Sequence, residues 1–69
     1  MTQGERIMKY IGEFGSISSM EAFADLGITR LSARIFDLER GGVRFNRKQE
    51  AVKNRYGEKV YYTRYSIAE

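Results

Sequence analysis

Residues 16–41, SISSMEAFADLGITRLSARIFDLERG, decide the fold of this chain because they hold two helical segments separated by a short turn. Ser18 followed three residues later by Glu21 forms a capping box, which marks the start of the first helix. Gly27 suits the left-handed conformation in which many helices end, since a residue without a Cβ meets no steric penalty there. The stretch therefore predicts a short helix, a tight turn and a second helix.

The apolar residues of this stretch predict which faces of the two helices are buried. Ile28, directly after the turn, is expected to fold back onto the core, and the Thr29 hydroxyl is expected to cap the second helix. The buried stripe of the second helix is expected to consist of Leu31, Ile35 and Leu38. The apolar face of the first is expected to consist of Met20, Phe23 and Ala24. Together these features are the pattern of a helix-turn-helix unit.

The N-terminal segment predicts one further helix. Thr2 and Glu5 form another capping box, and Gly15 is placed to end the helix after Phe14. Apolar residues recur along it at helical spacing, as a buried stripe requires. Across the whole chain, the residues expected in the core are Ile7, Ile11, Phe14, Phe23, Leu31, Ile35, Leu38, Phe45, Tyr65 and Ile67.

The C-terminal segment predicts a long β-hairpin, because its apolar periodicity changes from 3.6 to 2. The hairpin spans 43–67, and its tip is Arg55-Tyr56-Gly57, a three-residue loop with glycine in the position that needs a left-handed residue. This turn places Lys53 opposite Lys59, a mildly repulsive pair. The distal half lacks a dense apolar stripe and is expected to project as an exposed arm. Ser16-Ile17-Ser18 suits one more, very short strand.

The order helix, short strand, helix, helix, strand, strand is that of a winged helix, an α+β fold, here as a single domain over residues 1–69. The whole chain resembles winged helix-turn-helix domains. Within it, GITRLSARIFDLERGG (27–42) and NRYGEKVYYTRYSI (54–67) resemble small phage and prophage helix-turn-helix proteins. This resemblance implies a protein that binds double-stranded DNA as a transcriptional regulator or as a recombination accessory factor of a phage or mobile element.

The charge distribution points to the C-terminal third as the surface that attracts an acidic partner. The formal net charge is +3. Residues 1–43 carry five Lys or Arg and six Asp or Glu, whereas residues 44–69 carry seven and three, so the two parts have charges of −1 and +4. The positive field therefore belongs to the hairpin.

The start of the third helix is the expected site of base recognition, because residues near the start of a recognition helix usually reach base edges. Arginine can bind guanine through two hydrogen bonds, serine can pair with several base edges, and an alanine methyl can touch a thymine methyl. The candidates are Thr29, Arg30, Ser32 and Ala33, with Arg34 on the flank. Two structural alternatives remain open: Thr29 serves only as a cap, or Arg34 serves only to pair with Asp37 at i+3.

Phe36 stands out as an aromatic residue on the polar side of the third helix. We expect it to pack under the hairpin, since phenylalanine is usually buried. The alternatives are that it stacks on or wedges into nucleic acid, or covers part of a partner protein.

The tip of the hairpin is the second candidate surface for DNA, because it concentrates cations and hydrogen-bond donors that suit phosphates or a narrow minor groove. The candidates there are Lys53, Asn54, Arg55, Tyr56 and Lys59. The alternative is a solvated turn whose charges protect an exposed strand edge from aggregation.

Composition argues against several other classes of protein. The chain has no cysteine or histidine, so no disulfide and no ordinary structural zinc site is expected. Without a glycine-rich phosphate loop or paired carboxylates near a pocket, we expect no enzyme, no catalytic residue, no metal and no cofactor. No apolar run is long enough to span a membrane and no signal peptide is recognisable, which predicts a cytoplasmic protein.

One rival to DNA binding stays open at this point. A winged-helix scaffold can also act as a protein-protein interaction module without DNA binding, with a phage or host protein as its partner. A homodimer is a further arrangement that the sequence allows.

Overall fold

The computed structural model describes residues 1–68 and shows three helices packed on a three-stranded antiparallel sheet. The elements in chain order are α1 (Gln3–Phe14), β1 (Ile17–Ser18), α2 (Ser19–Leu26), α3 (Leu31–Arg40), β2 (Phe45–Lys53) and β3 (Lys59–Ile67). In the sheet, β3 lies between β1 and β2. The predicted α+β architecture, with a short strand after the first helix and a long C-terminal hairpin, is confirmed.

The predicted caps of the first two helices are present. The Glu5 backbone N–H donates to Thr2 Oγ1 at 3.1 Å, and the Thr2 N–H donates to Glu5 Oε1 at 2.9 Å. Ser18 and Glu21 form the same reciprocal pair at the start of α2. Gly27 ends α2 with φ at 69°, in the left-handed region expected for it. Local hydrogen bonding therefore sets where the first two helices begin and where the turn lies.

The core is built mainly from isoleucines. Its buried members are Ile7, Ile11, Ile17, Ala22, Ile28, Leu31, Ile35, Phe45 and Tyr65. Leu38 and Ile67 pack against it and are half-buried. A Cβ added to Gly4 in α1 would lie 3.2 Å from Leu38 Cδ2. The absence of a side chain at Gly4 therefore lets α1 approach α3 closely.

The predicted apolar face of α2 is wrong. Met20 and Phe23 are 68% and 63% exposed, and Ala24 is exposed as well. The helix instead buries Ala22 completely and Leu26 in part. These two residues lie four positions apart and so share one face of the helix. The small alanine lets the helix pack closely on the core, which leaves the larger side chains on the outer side.

The prediction that Phe14 lies in the core is also wrong, because Phe14 is 67% exposed. It is the last residue of α1, and the left-handed Gly15 that follows turns the chain away from the helix axis. Ile7 and Ile11 alone form the buried stripe of α1. The Phe14 ring packs on Tyr10 at the surface, with 4.6 Å between the ring centroids.

The hairpin has the predicted register. Lys53 lies opposite Lys59 and Phe45 lies opposite Ile67. The turn closes with the Asn54 backbone N–H donating to the Glu58 carbonyl oxygen at 2.9 Å. Every residue from 51 to 61 is exposed, so the distal half projects from the helices as expected.

Arg64 attaches the base of the hairpin to the helical part of the molecule. Its guanidinium donates to Glu50 Oε1 at 2.6 Å, to Glu21 Oε1 at 2.8 Å and to Ser16 Oγ at 3.1 Å. The hydrogen bonds to Glu50 and Glu21 raise the pKa of Arg64, and the bond from Arg64 lowers the pKa of Glu50. These bonds therefore favour the charged forms of Arg64 and Glu50. The guanidinium joins β3 to β2 and to the start of α2.

Replacing one buried residue and one exposed residue tests this description of the core. Ile35 is completely buried, so Ile35→Ala should lower the free energy of unfolding by about 2–5 kcal/mol, the usual cost of leaving a cavity. Phe23→Ala removes a larger but exposed side chain and should change the free energy of unfolding by no more than about 0.5 kcal/mol. Urea denaturation followed by circular dichroism measures both. A larger loss for Phe23→Ala than for Ile35→Ala would contradict the orientation of α2.

A second test concerns Tyr10, whose hydroxyl donates to Asp25 Oδ2 at 2.6 Å and so links α1 to α2. This hydrogen bond raises the pKa of Tyr10 from 10.0 to about 12. Because the folded pKa lies above the unfolded one, the bond should stabilise the fold fully below pH 10 and lose this effect as the pH rises toward 12. Spectrophotometric titration should show a component with a midpoint near 12 that Tyr10→Phe removes. An unchanged titration curve in Tyr10→Phe would contradict the contact.

Candidate nucleic-acid interface

The third helix begins one residue later than expected, since Thr29 was the predicted cap and the helix begins at Leu31. Arg30 is the N-cap residue of α3, with φ −123° and ψ 61°, and its carbonyl oxygen accepts the Arg34 N–H at 3.2 Å. No side chain caps this end of the helix. The prediction that Thr29 caps α3 is therefore wrong, because Thr29 lies one position before the cap. Thr29 and Arg30 are both exposed at the start of the helix.

The outer face of α3 is exposed along its length. Its exposed residues are Ser32, Phe36, Asp37 and Arg40, while Ala33, Arg34 and Glu39 are half-buried. The first turn of the helix therefore presents the small side chains of Ser32 and Ala33 next to Arg30. A surface of this kind can approach another molecule closely.

Phe36 does not pack under the hairpin, and the prediction that it does is wrong. Its side chain is 59% exposed. At the base of the hairpin, Phe45 and Tyr65 meet edge to face, and the Arg47 guanidinium lies 5.4 Å from the centre of the Tyr65 ring. On the outer face of α3, the Arg40 guanidinium lies 5.9 Å from the centre of the Phe36 ring.

Arg34 forms the ion pair that the sequence offered as its structural alternative. Arg34 Nη2 lies 3.3 Å from Asp37 Oδ2. Both side chains are partly exposed, so the pair contributes little to stability. Its effect on the surface is to offset the negative charge of Asp37.

Arg47 links the hairpin to α3 in a way that sequence reasoning missed. Its Nη2 and Nη1 donate to Glu39 Oε1 and Oε2 at 2.6 and 3.0 Å, a two-point contact that fixes orientation as well as distance. The hydrogen bond from Arg47 lowers the pKa of Glu39. No local pattern signals this contact, because the two residues belong to different elements.

The hairpin tip has two kinds of residue. Asn54 builds the turn, since its Oδ1 accepts the backbone N–H groups of Tyr56 and Glu58 at 2.9 and 3.0 Å. The side chains of Lys53, Arg55 and Lys59 are exposed and form no ion pair within residues 1–68. Tyr56 is exposed as well, at 81%.

The ten candidate residues form two separate groups, one at the start of α3 and one at the hairpin tip. Side chains alternate between the two faces of a strand, and opposite residues of a pair share a face. Lys53 lies six residues after Arg47 on β2, and this even spacing puts its side chain on the same face. The Lys53–Lys59 pair and the Arg47–Tyr65 pair therefore share one face of the hairpin. That is the face which Arg47 fastens to α3.

A shallow apolar groove lies beside the start of α3. It has a volume of about 370 Å³ and is lined by Ser19, Met20, Phe23, Ala24 and Thr29. Sequence reasoning missed it because Met20 and Phe23 were expected on the apolar face with which α2 packs on the core. Residues 1–68 include no helix that is long and apolar enough to cross a membrane.

The chain was compared with protein-family models, with curated proteins and with solved structures. The model of the winged helix-turn-helix domain matches residues 2–69. Neither the curated proteins nor the solved structures include a significant match. Domains of this type are typically DNA-binding modules without enzymatic activity. With its helix-turn-helix unit, its exposed third helix and its C-terminal hairpin, this chain belongs to the winged helix-turn-helix domain family.

Proposed function

We propose that this protein binds double-stranded DNA in a sequence-specific manner, with α3 in the major groove and the hairpin tip on the flanking backbone or minor groove. The observation that carries this proposal is the contact between Arg47 and Glu39. This contact attaches one face of the hairpin to α3, and Lys53 and Lys59 lie on that same face. Both candidate surfaces can therefore approach one duplex from one side.

The distribution of ion pairs supports this orientation. Both acidic side chains of α3 are engaged, Asp37 by Arg34 and Glu39 by Arg47. Within residues 1–68, five cations near the proposed interface form no ion pair: Arg30, Arg40, Lys53, Arg55 and Lys59. Phosphates are the natural counter-charges for such a set, and they would also relieve the repulsion between Lys53 and Lys59.

Within this interface the residues have different tasks. Arg30 stands at the start of a helix whose other side is locked in the core, so its position is constrained enough for a two-point contact with guanine. Thr29, Ser32 and Ala33 lie close enough to the same turn to touch neighbouring base edges. The hairpin cations lie on a projecting arm and supply charge rather than base readout. Asn54 acts mainly by shaping the turn.

The cellular role that fits best is a small transcriptional regulator or recombination accessory factor of a phage or mobile element. This part of the proposal rests on the resemblance of segments 27–42 and 54–67 to such proteins. DNA would then be the main partner, with the protein acting in the cytoplasm.

A protein-docking role is the second candidate function, and the apolar groove on α2 favours it. Met20 and Phe23 are both more than 60% exposed there, which is unusual for a pair of large apolar neighbours. A duplex has little apolar surface to offer such a groove. Its occupant would be a phage or host protein, or a second copy of the chain.

The salt dependence of binding to random duplex DNA tests the electrostatic part of the proposal. Five contacting cations predict a slope of log K against log salt concentration of about −4 to −5. In Arg55→Ala/Lys59→Ala, the slope should become shallower by about two, with equal weakening on all duplexes. Fluorescence anisotropy with a labelled duplex, measured at several salt concentrations, gives both values.

The matched control for this experiment is Arg6→Ala/Lys9→Ala, which removes the same charge from α1. The slope should stay nearly unchanged in this control, because it depends on cations that contact phosphates at the hairpin tip and not on the net charge of the protein. Equal changes in both double variants would contradict a DNA contact at the hairpin tip. Absence of binding by the wild type at low salt would favour the protein-docking function.

Replacement of Arg30 tests base recognition by α3. On a duplex selected from a random library by the wild-type protein, Arg30→Ala should weaken binding by about 1–3 kcal/mol, and on random DNA by much less. Arg30→Lys keeps the charge but loses the planar two-point geometry, so it should retain non-specific binding and still lose specificity. Competition anisotropy measures both affinities. If each variant weakens selected and random duplexes equally, Arg30 does not read sequence.

A further inference from the structure

Phe36 occupies the centre of the exposed face of α3. It lies one turn after Ala33 and one turn before Arg40, so the three side chains form a row along the outside of the helix. The ring is 59% exposed, and the Arg40 guanidinium lies 5.9 Å from its centre. The core contacts of the helix are made by Leu31, Ile35 and Leu38 on its other side.

The position of Phe36 determines what it would meet if α3 lies in the major groove. Ala33 and Phe36 lie further along the exposed side of the helix than Arg30, so they would face base edges deeper along the groove. Those edges carry hydrogen-bond donors and acceptors that an aromatic ring cannot satisfy, and one apolar group, the C5-methyl of thymine. Arg40, at the flank of the ring, would face the neighbouring phosphates.

We infer that Phe36 is a specificity-determining residue, which selects DNA sites that present a thymine methyl to the exposed face of α3. This inference rests on the proposed function and adds to it the chemical group that is recognised. The ring gains by covering the methyl, because both surfaces are removed from water. At the same position, cytosine would bring a polar amino group against the ring and leave it without a partner.

Removal of single methyl groups from the DNA gives a direct test. In a duplex selected by the wild-type protein, each thymine is replaced in turn by uracil, which differs only in lacking the C5-methyl. At one position or two, the wild type should lose about fourfold in affinity, as expected for one methyl group of buried surface. Phe36→Ala should bind the parent duplex more weakly and show no loss at those same positions.

Two variants control this experiment. Phe23→Ala removes an equally exposed phenylalanine from α2, outside the proposed interface, and should retain the full response to uracil. Phe36→Leu keeps an apolar side chain and should retain most of the response. Thermal melting of each variant verifies that the fold is intact, which is expected because Phe36 is not part of the core.

The inference is overturned if the wild type binds every uracil duplex as well as the parent, or if Phe36→Ala responds to uracil as the wild type does. It is also overturned if Phe36→Ala binds DNA with unchanged affinity, since Phe36 then faces another partner. These results leave the proposed DNA binding intact. Failure of the wild type to bind any duplex would overturn both the inference and the proposed function.

Discussion

The arrangement of this molecule depends on the guanidinium of Arg64, which joins parts of the chain that are far apart in sequence. Glu21 Oε1 accepts both from the Ser18 backbone N–H that begins α2 and from Arg64 on β3. The Glu21 carboxylate therefore both caps α2 and binds β3. Glu50 completes the site from β2. Removal of Arg64 would leave both carboxylates without their cationic partner, and because all three side chains are partly buried this should destabilise the fold.

The candidate interface follows from this attachment. Arg47 and Arg64 belong to neighbouring cross-strand pairs, so they act on opposite faces of the hairpin base. Arg64 holds one face to α2, and Arg47 holds the other to Glu39 of α3. A two-stranded hairpin alone is marginally stable, so its distal half depends on this fixed base for its direction. The hairpin tip can then present its cations at a defined distance from α3.

Exposed apolar residues lie on both α2 and α3. A chain of 69 residues has little apolar material to spare for its core, yet Phe36 and the pair Met20 and Phe23 lie outside it. Phe36 lies on α3 between residues proposed to read DNA, whereas Met20 and Phe23 line a groove on α2. In the functions proposed above, Phe36 belongs to the DNA-binding face, and Met20 and Phe23 belong to a separate surface for a protein partner.

The sequence by itself determined the features that depend on contacts within a few residues of the chain. These include both capping boxes, the turn at Gly27 and the hairpin register, which a three-residue loop sets without help from the rest of the fold. The same local reasoning put the candidate site residues at the start of α3 and at the hairpin tip. Tertiary structure alone decided that α2 buries Ala22 and leaves Phe23 outside, and that Arg64 reaches Ser16 across 48 residues. The orientation of a short helix is set by how closely it packs on its neighbours, and ion pairs form between groups that folding brings together, so neither leaves a local pattern in the sequence.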